Sequence, residues 1–246
     1  MRLAIFADIH ANRQAFRACL EAARAKGAER IVCLGDIVGY GADPEWAVDT
    51  VMALAGEGAP VVLGNHDNAI ATSAESMNAE AQAAIEWTRG RLSVPQRQFL
   101  AGLPFTVAEE TRLYVHSEAS SPARWRYVQS ASDAARSMIA TAAQITFCGH
   151  IHRPALYSMS VTAKMTSFVP VSHVPVRLLR GRQWLAVVGS VGQPRDGDPA
   201  ASFVTFDTDT RDITYCRAPY DVEAAAQRIR DNGLPLWLAE RLSAGQ

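Results

Sequence analysis

The chain has 246 residues, 48% of them hydrophobic, enough for one large core or two small ones. Its 24 Lys and Arg against 25 Asp and Glu leave a net charge of −1, which argues against holding nucleic acid through a basic surface. A charged fraction of 20% with five Trp argues against a disordered chain, and the apolar run at residues 3–7 stops at Asp8, too short for a signal core or a membrane span. A cytoplasmic protein with no membrane attachment is therefore expected.

Residues 3–7 read as an apolar strand. Asn12 caps a helix whose apolar positions Ala15, Phe16, Cys19, Leu20 and Ala23 recur at helical spacing before Gly27 ends it. Residues 31–34 form a second strand, Asp43 and Pro44 open a second helix, and residues 60–63 form a third strand. Such a β-α-β-α-β run implies parallel strands buried under helices. Residues 68–105 are Ala-rich and helical in pattern, read either as a cap on the site or as cover for a sheet edge. Strands at 112–115 and 145–148 flank a helix near 132–142. Beyond His152, short strands at 155–159, 174–179, 184–188, 203–207 and 213–217 are punctuated by Pro and Gly, which predicts a second, mostly antiparallel sheet within 153–220. Helices over 222–229 and 236–242 close the chain. With no linker or repeat, a single domain over 1–246 is expected. Cys19, Cys33, Cys148 and Cys216 are scattered and read as core residues.

Each strand of the N-terminal portion ends in polar residues: Asp8-Ile9-His10, then Gly35-Asp36, then Gly64-Asn65-His66-Asp67, then His116, then Gly149-His150-Ile151-His152. Ligands bind at the carboxyl ends of strands in open α/β sheets, so these residues should converge. Five of the six histidines belong to this set; His173 stands outside it. On extended chain, residues two apart share a face, which pairs Asp8 with His10 and His150 with His152. Carboxylate, imidazole and amide oxygen suit Zn, Mn or Fe, and seven candidate ligands are enough for two metals sharing a carboxylate.

This ordered set resembles the calcineurin-like metallophosphoesterase superfamily over residues 1–152. The later Gly189-Ser190-Val191-Gly192-Gln193-Pro194-Arg195-Asp196-Gly197 and Gly233-Leu234-Pro235 resemble its small bacterial phosphodiesterase-type branch. The resemblance implies a four-layer α/β/β/α sandwich of two mixed sheets flanked by helices. It also implies one divalent ion (Mn, Fe or Zn) held by Asp8, His10, Asp36 and His152 and a second by Asp36, Asn65, His116 and His150. A hydroxide bridging the two would attack phosphorus in line, with His66 as general acid and Asp67 grouped with it as catalytic.

Two departures bear on substrate. Phosphoprotein phosphatase and diadenosine tetraphosphatase branches continue the second motif with an Asp that supports the catalytic His and an Arg that grips phosphate; Gly39 and Tyr40 stand there in this chain. A dianionic monoester gains most from such an Arg, so phosphodiesters are preferred. Ala11 and Ser117 replace common glycines, and a positive φ at either would strain the backbone. Asn12, Tyr40, Arg124 and Arg195 are candidate substrate contacts, and Arg124-Trp125-Arg126-Tyr127 lies close enough in sequence to His116 to overhang the metals. The expected partner is a small phosphoester, with nucleotides among the candidates, and the expected assembly is a monomer or homodimer. The alternatives are a phosphomonoesterase, nucleoside-polyphosphate or phosphoprotein phosphatase, and a non-catalytic metal-binding scaffold. A nuclease acting on long nucleic acid is disfavoured by the charge balance.

Overall fold

A computed structural model describes residues 1–72 and 77–246. Strand β1 (Arg2–Phe6) leads into helix α1 (Arg13–Ala25), β2 (Arg30–Cys33), α2 (Pro44–Gly56) and α3 (Asn65–Ala71). Helices α4 (Ala79–Arg91) and α5 (Val94–Ala101) follow, then β3 (Thr106–Glu109), β4 (Arg112–Val115), α6 (Ala131–Ile139) and β5 (Ile145–Cys148). The rest of the chain forms β6 (Ala155–Ser160), β7 (Met165–Phe168), β8 (Pro175–Arg177), β9 (Arg182–Val187), β10 (Ala201–Asp207), β11 (Asp212–Ala218), α7 (Val222–Asp231) and α8 (Leu236–Ala244).

Two mixed sheets result, in the orders β2-β1-β10-β11-β8 and β3-β4-β5-β9-β6-β7. Strand alternation explains the layers. In β1, Leu3 and Ile5 face the second sheet and join Phe147, Trp184, Ala186 and Phe206 in the core between sheets, while Ala4 and Phe6 face α1 and α2. Likewise Leu185 and Val187 of β9 turn outward onto Ala134 and Met138 of α6. Strands buried on both faces carry apolar residues at successive positions, and the α/β/β/α sandwich follows.

The sequence expectations need three corrections. Residues 60–63 are reduced to one parallel bridge, Cys33 to Val61, because Pro60 has no N–H to give and the Leu63 N–H donates to the Pro104 carbonyl instead. The strands of 153–220 do not make a sheet of their own: β8, β10 and β11 extend the sheet of β1, and β9 inserts between β5 and β6. Such pairings join residues about 200 positions apart, as in Leu3 with Phe206, and residue alternation says nothing about which strand is the neighbour. The short edge strands β3 and β7 were absent from the expected set. Within 68–105, residues 73–76 lie outside the described residues; around them, Arg89 of α4 donates to the Ala69, Ile70 and Thr72 carbonyls and closes the end of α3. No described helix is long and apolar enough to cross a membrane.

Candidate metal centre

The loops that follow β1, β2, β4 and β5 meet at one end of the sandwich with the start of α3. They are tied by backbone bonds: the Asp8 N–H donates to Gly35 O (3.1 Å), His10 N–H to Asp36 O (2.9 Å), Ala11 N–H to Ile37 O (2.9 Å) and Gly149 N–H to His116 O (2.9 Å). The convergence does not come from extended chain. Asp8, His10, Asp36, His150 and His152 all have left-handed φ between +49° and +70°, as do Ala11 at +50° and Tyr40 at +63°. This corrects the shared-face expectation: Asp8 and His10 do point to one cluster, but His150 and His152 point to different ones. Each such residue costs about 1–2 kcal/mol, strain that the cross-linked loops hold in place. Ala11 carries the strain expected of it; Ser117 is not left-handed.

Asp8, His10, Asp36 and His152 form one buried cluster, and Asp36, His116 and His150 another, with the donor atoms of each within 4.8 Å of one another. Asp36 Oδ2 is common to both, 3.7 Å from His10 Nε2 and 3.3 Å from His116 Nε2. Asn65 Oδ1 completes the second cluster, 3.2 Å from His116 Nε2.

Each imidazole is oriented by a backbone carbonyl. His10 Nδ1 donates to Val38 O (3.1 Å), His116 Nδ1 to Leu34 O (2.7 Å), His152 Nδ1 to Gln193 O (2.7 Å) and His150 Nε2 to Trp125 O (2.8 Å). A carbonyl only accepts, so the proton of each neutral ring lies on that outer nitrogen and the inner one presents a lone pair. The inner nitrogens of His10 and His152, both held neutral, then face each other at 3.1 Å, and two lone pairs cannot bond each other; those of His116 and His150 stand equally close. A cation between them resolves the conflict, so the residues fit a metal. Burial pulls His10 and His152 well below the usual histidine range and His150 down to about 3. His116 is the exception: burial lowers it, but Asp36, Asp8 and the Leu34 carbonyl together raise it to about 9, a mark of the carboxylate charge that a second cation would also answer.

His66 is 4% exposed, and its Nδ1 has no hydrogen-bond partner. It abuts Gly39, where a Cβ would collide with that nitrogen and where φ is +88°. Burial lowers the pKa of His66, and Asp36 opposes the shift. The Asp67 carboxylate accepts from the N–H groups of Ile37 (2.9 Å), Val38 (3.2 Å) and Gly64 (3.2 Å), holding the Asp36 loop to the start of α3. Asn12 is held in a similar way: Oδ1 caps α1 at Ala15 N–H, and Nδ2 donates to Gly192 O and the Tyr220 hydroxyl. Backbone groups engage polar atoms of both residues.

A cleft of about 360 Å³ lies over the clusters, lined by Asp36, Asn65, His66, His150 and His152 on its floor side and by Tyr40, Arg124, Trp125, Tyr127 and Arg195 elsewhere. Asn68, Met77, Asn78 and Ala81 also line it, so the helical insert contributes to the cleft. The carbonyls of Leu34, Val38, Trp125 and Gln193 are the parts that sequence reasoning missed; a backbone atom leaves no residue-type signal.

The calcineurin-like phosphoesterase superfamily domain matches residues 1–211. The chain belongs to this superfamily. Metallophosphoesterases of this kind use dinuclear metal centres, and the two clusters sharing Asp36 could hold one in this member. A metallophosphoesterase from Sphaerobacter thermophilus superposes with a TM-score of 0.88 at 33% identity, covering 100% of both chains. An uncharacterized protein of Methanocaldococcus jannaschii is 32% identical over 99% of this chain and 98% of its own length. A hypothetical protein from Pyrococcus horikoshii shares the fold, with a TM-score of 0.79 at 20% identity, over 100% of this chain and 98% of that one.

Proposed function

We propose that this metallophosphoesterase hydrolyses phosphodiester bonds of small substrates with the help of two divalent cations. Asp8, His10 and His152 would hold the first, Asn65, His116 and His150 the second, and Asp36 both. When bound, the pair supplies Lewis-acid charge and a water of lowered pKa. His66 supplies the leaving-group proton from Nε2, since Nδ1 is sealed against Gly39. Asp36 raises the proton affinity of His66 against burial, and a phosphate anion in the cleft adds to that pull.

The observation that carries the diester preference is the packing at residues 39 and 40. Gly39 leaves His66 without a supporting acid, and the Tyr40 ring packs on His10 and His66 at 4.4 and 4.5 Å between centroids. Tyr40 supplies no guanidinium of its own, so the cleft holds one fewer cation for a dianion, whereas a diester carries a single charge.

With Mn²⁺ added, the protein should turn over an aryl phosphodiester faster than the matching monoester. A monoester preference of tenfold or more, about 1.4 kcal/mol in transition-state binding, would overturn the assignment. His66→Ala should lower kcat about 10²- to 10⁴-fold for an alkyl leaving group and far less for a nitrophenolate, which departs unprotonated. Equal losses for both would remove His66 from the acid role.

A further inference from the structure

The loop after β9 approaches the centre without supplying a metal ligand. Ser190 donates its hydroxyl to Asp8 O (2.9 Å) and accepts from the Gln193 N–H (2.9 Å), and Gln193 O holds the His152 ring. The same Gln193 fixes Arg195: its Oε1 accepts from Arg195 Nε (3.2 Å) and Nη2 (2.9 Å). The Arg195 N–H meanwhile donates to His152 O (3.1 Å), and the guanidinium carbon lies 5.7 Å from the centroid of the Tyr40 ring. A half-buried cation is thus held at the cleft wall by the Gln193 carboxamide and the Tyr40 ring, and the backbone carbonyl of the same Gln193 orients His152.

We propose that Arg195 is the phosphate-binding guanidinium of this site, reaching from the β9–β10 loop over Tyr40. Gln193 occupies the Nε side of the guanidinium and leaves Nη1 for a non-bridging phosphate oxygen. Preorganisation separates it from Arg124, the other arginine lining the cleft, which is exposed and has no side-chain partner among the described residues. One fixed guanidinium matches the single charge of a diester. The assignment rests on the phosphoesterase reading and adds the residue that recognises the anion.

The test measures inorganic phosphate binding by calorimetry to Mn²⁺-saturated wild type, Arg195→Ala and Arg195→Gln, with metal content and Tm recorded for each. Arg195→Gln keeps a hydrogen-bonding side chain and removes the charge, so it stands in should Arg195→Ala fold poorly. Both variants should keep two metals and bind phosphate roughly tenfold to a hundredfold more weakly, with KM for the aryl diester rising in step. Phosphate affinity within twofold of wild type in either metal-saturated variant overturns the assignment. Wild type that binds phosphate through Arg195 but turns over no phosphoester would overturn the enzymatic reading alone. Turnover with phosphate binding indifferent to Arg195 would overturn this inference alone.

Discussion

At the scale of single residues, the centre is made by placing polar side chains where the backbone is least comfortable. Asp8, His10, Asp36, His150 and His152 all sit in left-handed conformations, so their identities answer to ligand chemistry rather than to backbone preference. Gly39 is the converse, a residue whose missing side chain matters. Gly39→Ala should cost about 1–2 kcal/mol for its backbone alone and displace His66, lowering kcat while both metals remain bound. Wild-type stability and kcat in this variant would show that His66 does not depend on that contact. The candidate ligands were legible in the sequence because residue types at strand ends carry their chemistry in their names. The unpartnered Nδ1 of His66 was not, since it depends on which atom of a residue 27 positions away lies against it.

At the scale of elements, the site depends on how helices and loops are fastened near it. Asn12 shows the difference between adjacency and contact. Its amide caps α1 and ties that helix to Gly192 and Tyr220. Asn12→Ala should destabilise the protein by about 2–4 kcal/mol, about 1 from the cap and the remainder from the buried Gly192 carbonyl left without its donor, and leave KM within twofold. Chemical unfolding and steady-state kinetics together check this; an unchanged stability with a raised KM would return Asn12 to the substrate. Helices α1, α2, α6, α7 and α8 were legible from caps and apolar spacing. Strand 60–63 was not, because propensity describes a segment and a ladder needs a partner that continues alongside it.

At the scale of the whole molecule, the centre joins loops from both sheets, so metal binding and folding are coupled. Free metal at a hundred times its dissociation constant should raise stability by about 2.7 kcal/mol per site, seen as a rise in Tm that chelation reverses. Asp36→Asn should reduce metal content by elemental analysis to well below two per chain, because both clusters share its Oδ2; His150→Ala should retain one. Two metals retained in Asp36→Asn would refute a shared ligand. The sequence by itself determined the family, the candidate ligand set and the apolar runs of the central strands, since these follow from residue chemistry and local periodicity. Only the tertiary structure decided that β10 lies against β1 and β9 against β5, that four backbone carbonyls set the histidine tautomers, and that Arg195 lies over Tyr40. Those are contacts between distant segments, and their partners are chosen by packing and backbone geometry, which no single stretch of sequence encodes.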